Sequence, residues 1–105
     1  MTKLKAAFMF VVPDADPREH RVTISTPATV ELIVVGVKDY QQAIQVSQEL
    51  VDQGVQAIEL CAGFGQIGVA KVAQAVGDKA VVGAVRFDRH PGLEFKSGDE
   101  MFDKT

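Results

Sequence analysis

Three apolar runs begin near residues 30, 57 and 80, and each interval between them holds an amphipathic stripe with start and stop signals. A strand-to-strand spacing of roughly 25 residues is that of successive βα units. The first interval predicts a helix over 39–53. Asp39 is its cap, Tyr40, Ala43, Ile44, Ser47, Leu50 and Val51 are its apolar stripe, and Gly54 sits where a left-handed stop belongs. The second predicts a helix over 65–76, with Val69, Val72, Ala73 and Val76 at i, i+3, i+4 and i+7 and Gly77 as its stop. The strands are expected over 30–37, 57–62 and 80–87. A βαβαβ segment of this kind is parallel with right-handed crossovers. With each strand beside the last, both helices fall on one face of the sheet.

The flanks extend this core. Residues 5–12 form a continuous apolar run that Pro13 ends, which suits a strand covered on both faces. Asp16-Pro17 reads as a cap and first-turn pair for one helical turn over 17–20, and His20 is expected in solvent. Residues 21–25 alternate Val22 and Ile24 with polar residues, as an edge strand does. The fold class is therefore α/β: one small domain over residues 1–105 with a mainly parallel sheet, two main helices on one face, an N-terminal strand and an edge strand. Residues 93–105 read as a tail or an arm reaching a neighbouring subunit. There, Ser97 and Glu100 have capping-box spacing, and Met101-Phe102 form an apolar pair before the charged Asp103-Lys104 end.

Apolar residues fall on both parities of the strands: Phe8, Phe10, Val34, Val35, Val82 and Val85. Two helices of this length cannot cover a five-stranded sheet twice. The expectation is a homo-oligomer, dimer or larger, with a second subunit on the face the helices leave bare.

Composition narrows the partners. A hydrophobic fraction of 47% is that of a folded domain rather than a disordered chain. A net charge of −3 with no basic cluster gives no reason to expect nucleic acid. No apolar run approaches the roughly 18 residues of a membrane span. The apolar stretch from Ala6 reads as a buried first strand, not a signal sequence. One cysteine excludes an internal disulfide framework, so the expected compartment is the cytoplasm.

The candidate site is Gly63-Phe64-Gly65-Gln66-Ile67-Gly68, a G-x-G-x-x-G loop between an expected strand and an expected helix, with Asp88 twenty residues beyond the last glycine. Glycines permit a tight turn and close backbone approach, and a helix N-terminus offers free N–H groups to an anion. Only one strand follows the loop, so the second half of a dinucleotide fold is missing. The ligand expected is a small phosphate- or carboxylate-bearing anion, held by Gly63, Phe64, Gly65 and Gly68 with Arg86 as counter-charge. No cofactor is assigned. With two histidines and one cysteine, no metal is expected either, although Asp88, His90 and Glu59 are ligand types.

Glu59 and Arg86 are charges inside apolar runs, which reads either as an ion pair across neighbouring strands or as part of a site. In the second case, Glu59, Cys61, Asp88 and His90 are the catalytic candidates for an isomerase or lyase acting on an anionic substrate. Cys61 has a bland reading as a small buried hydrophobe and a reactive one beside a helix N-terminus. Tyr40 is expected to pack in the helix stripe. A third reading has no ligand at all, only a structural oligomer.

The chain also resembles a family of small prokaryotic proteins catalogued as a domain of unknown function. The residues that carry the likeness are Lys5-Ala6-Ala7-Phe8, Val34-Val35-Gly36-Val37, Ala57-Ile58-Glu59-Leu60-Cys61, Gly63-Phe64-Gly65, Val85-Arg86-Phe87-Asp88, His90-Pro91-Gly92 and Lys96-Ser97-Gly98-Asp99-Glu100. The resemblance implies that the whole chain is one unit, and it implies no activity.

Overall fold

Strand β1 (Leu4–Val11) carries apolar residues at nearly every position, and it lies at the centre of the sheet with a parallel neighbour on each side. The computed structural model describes residues 3–103. Met1 and Thr2 at the start, and Lys104 of the charged end, lie outside the described residues. The remaining strands are β2 (Arg21–Ser25), β3 (Val30–Val37), β4 (Ala57–Leu60) and β5 (Val81–Ala84), in the order β2-β3-β1-β4-β5. Among these five strands only β2 is antiparallel, and it is the edge strand that its alternation suggested, with all five residues exposed.

The strand order corrects one expectation. β3 and β4 are not neighbours, because β1 lies between them. Helix α1 (Tyr40–Asp52) therefore carries the chain across β1, and α2 (Gln66–Val76) carries it one strand further. Both crossovers step in the same direction, so right-handedness puts both helices on one face, where they pack on each other. Asp39 caps α1 by accepting from the Gln42 N–H, and Gly54 follows its end with φ +99°.

Two strands are shorter than their apolar runs. At the end of β4, the Phe64 N–H turns back to the Cys61 carbonyl. β5 stops at Ala84, the residue paired with Leu60; the Val85 N–H makes the last bond to that strand, at the Leu60 carbonyl, and beyond it the neighbouring strand has ended.

The registers separate the two faces. Ala7, Met9, Val11, Ile33, Val35, Val37, Ile58 and Leu60 face the helices and form the core with Tyr40, Leu50, Phe64, Val72 and Phe102. The other parity forms two rows across the sheet: Ile24, Leu32, Ala6, Ala57, Val81 and, beside them, Val22, Val34, Phe8, Glu59, Gly83. Among the described residues, no helix covers these rows. The loop after β1 closes one corner only, where Ala15 sits next to Phe10, whose ring occupies the place a Cβ on Gly36 would need.

Candidate functional site

Ligands of open parallel sheets sit beyond the carboxyl ends of the strands. At that edge the glycine loop turns from β4 into α2, with Gly65 at the N-cap position. A glycine has no side chain with which to cap, so the first amides of α2 need acceptors from elsewhere. Asp99 supplies them. It lies on a short helix α3 (Gly98–Phe102), which starts with the expected capping box of Ser97 and Glu100. The Ile67 N–H donates to Asp99 Oδ2 at 3.0 Å, and the Gly68 N–H donates to Oδ1 at 3.1 Å. A carboxylate some thirty residues away thus does the work of the missing cap side chain.

Tyr40 completes the cluster. Its hydroxyl donates to Asp99 Oδ1 at 2.8 Å and accepts from the Gly65 N–H at 2.9 Å. Its ring stacks on Phe64 with centroids 5.6 Å apart and lies 6.3 Å from Phe102, which is 2% exposed. The Tyr40 ring stays in the α1 stripe as expected, while its hydroxyl reaches the loop. The Lys71 ammonium pairs with Asp103 at 2.7 Å and ties the end of this segment to α2.

The glycines of this corner are explained by close approach. A Cβ on Gly65 would overlap the Asp99 carboxylate, one on Gly68 would overlap the Tyr40 ring, and one on Gly98 would overlap the carbonyl oxygen of Gly63. The G-x-G-x-x-G spacing therefore admits α3 and Tyr40 to the N-terminus of α2. Phe102 turns into the core of its own chain, and Met101 remains 40% exposed. Beside α3, Pro13, Lys38, Asp39, Met101 and Phe102 line a cleft of about 300 Å³.

The other candidates are dispersed. Arg86 lies past the end of β5; it donates to the Phe64 carbonyl at 3.2 Å and pairs with Asp88 at 2.9 Å. It thus clamps the carbonyl side of the glycine loop, and its acidic partner is Asp88 rather than Glu59. Glu59 is exposed on the uncovered face, between Phe8 and Gly83. Cys61 is half-buried, and its Sγ accepts from the Gly63 N–H at 3.2 Å. His90 begins a hairpin closed by its bridge to Lys96; its Nδ1 accepts from the Gly92 N–H at 3.0 Å, and its ring lies 5.3 Å from Phe87. That hairpin turns through Glu94 and Phe95, both left-handed at φ 58° and 61°. Among the described residues, no three His, Cys, Asp or Glu side chains gather as a metal-ligand set, and no helix is long and apolar enough to cross a membrane.

Tyr40 gives the cluster a pH signature. Burial raises the phenol well above its ordinary value near 10, the neighbouring Asp99 carboxylate adds to this, and donation from the Gly65 amide opposes it. The folded value lies above the unfolded one, so the associated stability is complete below about pH 10 and drains away as pH rises beyond it. The loss is expected to approach about 1.4 kcal/mol per pH unit in that range. Guanidinium midpoints between pH 9 and 11.5 should therefore fall more steeply for the wild type than for Tyr40→Phe. Equal slopes would remove the phenol from the account.

A comparison with curated proteins finds no match, and neither does one with solved structures. The sequence profile of one family, however, matches residues 4–100 and so spans the sheet, both long helices and the start of α3. The chain belongs to that family, DUF6506, a family of unknown function.

Proposed function

We propose that the protein is a binding module for a small phosphate- or carboxylate-bearing anion, which takes the place of Asp99 at the Gly63–Gly68 loop. The observation that carries this reading is the convergence of the Ile67 amide, the Gly68 amide and the Tyr40 hydroxyl on one carboxylate at the N-terminus of a long helix. Such a donor set favours negative charge whatever molecule bears it. Asp99 is then a resident competitor, and α3 is the piece that lifts when a ligand enters. Because the competitor is tethered, its effective concentration is in the millimolar range or above, so only a ligand with several contacts displaces it.

Amide shifts of Ile67 and Gly68 during titration with inorganic phosphate and glycerol phosphate test the reading. In the wild type, binding should be weak. In Asp99→Ala, with the competitor gone, it should tighten at least tenfold. Amides that stay unmoved in both proteins would sink the proposal.

A second reading is favoured by the contact of Gly98 with the Gly63 carbonyl and by the burial of Phe102. On that reading the loop is a fixed internal dock for the C-terminal segment. Asp99→Ala then loses stability and gains no affinity for phosphate, so one variant separates the two. An isomerase or lyase built on Glu59, Arg86, Asp88 and His90 would need Glu59 on the helix side of the sheet, and its register gives that reading no support.

A further inference from the structure

The rows of the sheet that face away from the helices run from one edge strand to the other. Within them Leu4, Val22, Ile24 and Val81 are 46%, 55%, 54% and 71% exposed. Across all the paired positions of this face, Glu59 is the single charged residue. Isolated exposed apolar side chains are ordinary, but a continuous patch of them marks a contact surface.

We infer that this face is the interface between two copies of the chain, packed sheet against sheet. Five strands about 4.8 Å apart, about 13 Å long at β4 and β5 and about 26 Å at β1 and β3, give a footprint of about 460 Å² per copy. A pair then buries about 900 Å², close to the roughly 1,000 Å² that a specific interface has to clear. A partner helix, about 10 Å wide, would cover roughly two of the five strands. A second sheet covers all of them at the usual face-to-face separation of about 10 Å. A second copy supplies such a sheet with the same apolar character, and a twofold axis makes the patch complementary to itself. The net charge of −3, with a carboxylate on the face itself, disfavours an anionic membrane or a nucleic acid as the occupant.

Glu59 is tolerated because of its position. It lies on β4, one strand from the edge, and its neighbour on β5 is Gly83, around which a Cβ would meet nothing within 4 Å. That gap leaves the carboxylate a route to water at the rim. The glycine loop and Asp99 lie on the helix side, so this inference stands apart from the anion reading.

Sedimentation equilibrium of the full chain at micromolar concentration tests it, with Ile24→Lys and Val81→Lys as variants. Both sites are exposed in the protomer and lie on the two edge strands, so a lysine leaves the fold intact, which circular dichroism verifies. The wild type should sediment at twice the chain mass of 11.3 kDa. Each lysine should weaken association at least tenfold, and Glu59→Gln, which removes the charge without added bulk, should strengthen it several-fold. A wild-type monomer throughout the micromolar range would overturn the inference. So would a dimer indifferent to both lysines, or a monomer that pelleted with lipid vesicles instead.

Discussion

Phe102→Ala is expected to lower the unfolding free energy by about 3–5 kcal/mol, the cost of emptying a well-packed aromatic site. A domain of this size holds only about 5–15 kcal/mol in total, so the variant should be marginal near room temperature. The effect is large because Phe102 anchors a helix too short to be stable alone. Without the ring, the five-residue α3 loses its apolar hold on Tyr40, and the Asp99 carboxylate is no longer held over α2. Two amides at the start of α2 then lose their acceptor, which adds to the cost of the cavity. Urea denaturation followed by circular dichroism measures the loss. Fluorescence of Tyr40, the one tyrosine in a chain without tryptophan, reports on the corner itself. A loss below about 1 kcal/mol would mean that α3 is an appendage rather than part of the core.

The parts of this fold that were legible in the sequence rest on local chemistry. Asp39 and Gly54 bound α1 as expected, because capping involves residues within one turn of each other. The polar alternation of β2 marked an edge, whereas the double-sided apolar pattern of the first strand suggested cover on both faces and only one of them meets the helices. Strand order was not legible. That β1 inserts between β3 and β4 is a long-range pairing that leaves no mark on spacing. The ends of β4 and β5 were overrun for a related reason. Val85 and Phe87 continue the apolar pattern, but β5 ends where β4 does, and β4 ends in the turn at Cys61 although β1 runs on to Val11; hydropathy carries neither fact.

The candidate site divides along the same line. The G-x-G-x-x-G spacing marked the turn that leads into α2, where Gly65 stands at the N-cap with no side chain to cap the helix. It did not identify the acceptor. The capping box of Ser97 and Glu100 announced α3, yet nothing local links Asp99 to amides 31 and 32 residues earlier. Tyr40 was expected in the helix stripe, and its hydroxyl became part of the site only once α1, α2 and α3 met at one corner. Glu59 and Arg86 stood out as charges in apolar runs, but the sheet separates their roles: one lies on the uncovered face and the other clamps the loop.

Gly98→Ala is expected to cost about 3–4 kcal/mol, from lost burial of Phe102 and lost hydrogen bonds to Asp99. A new Cβ there meets the Gly63 carbonyl, which is backbone in the loop and cannot swing aside as a side chain would. The only relief is for α3 to lift as a unit. Gly98→Ala and Phe102→Ala therefore act through one event, and undocking that has already happened cannot happen again. The double variant should lose little more than the worse single variant, leaving a coupling of about 2–3 kcal/mol in a double-mutant cycle. Asp99→Ala placed in the same cycle should couple to both for the same reason. Additive losses would show that the three residues stabilise the corner independently, and the picture of α3 as a single piece that docks or lifts would then fail.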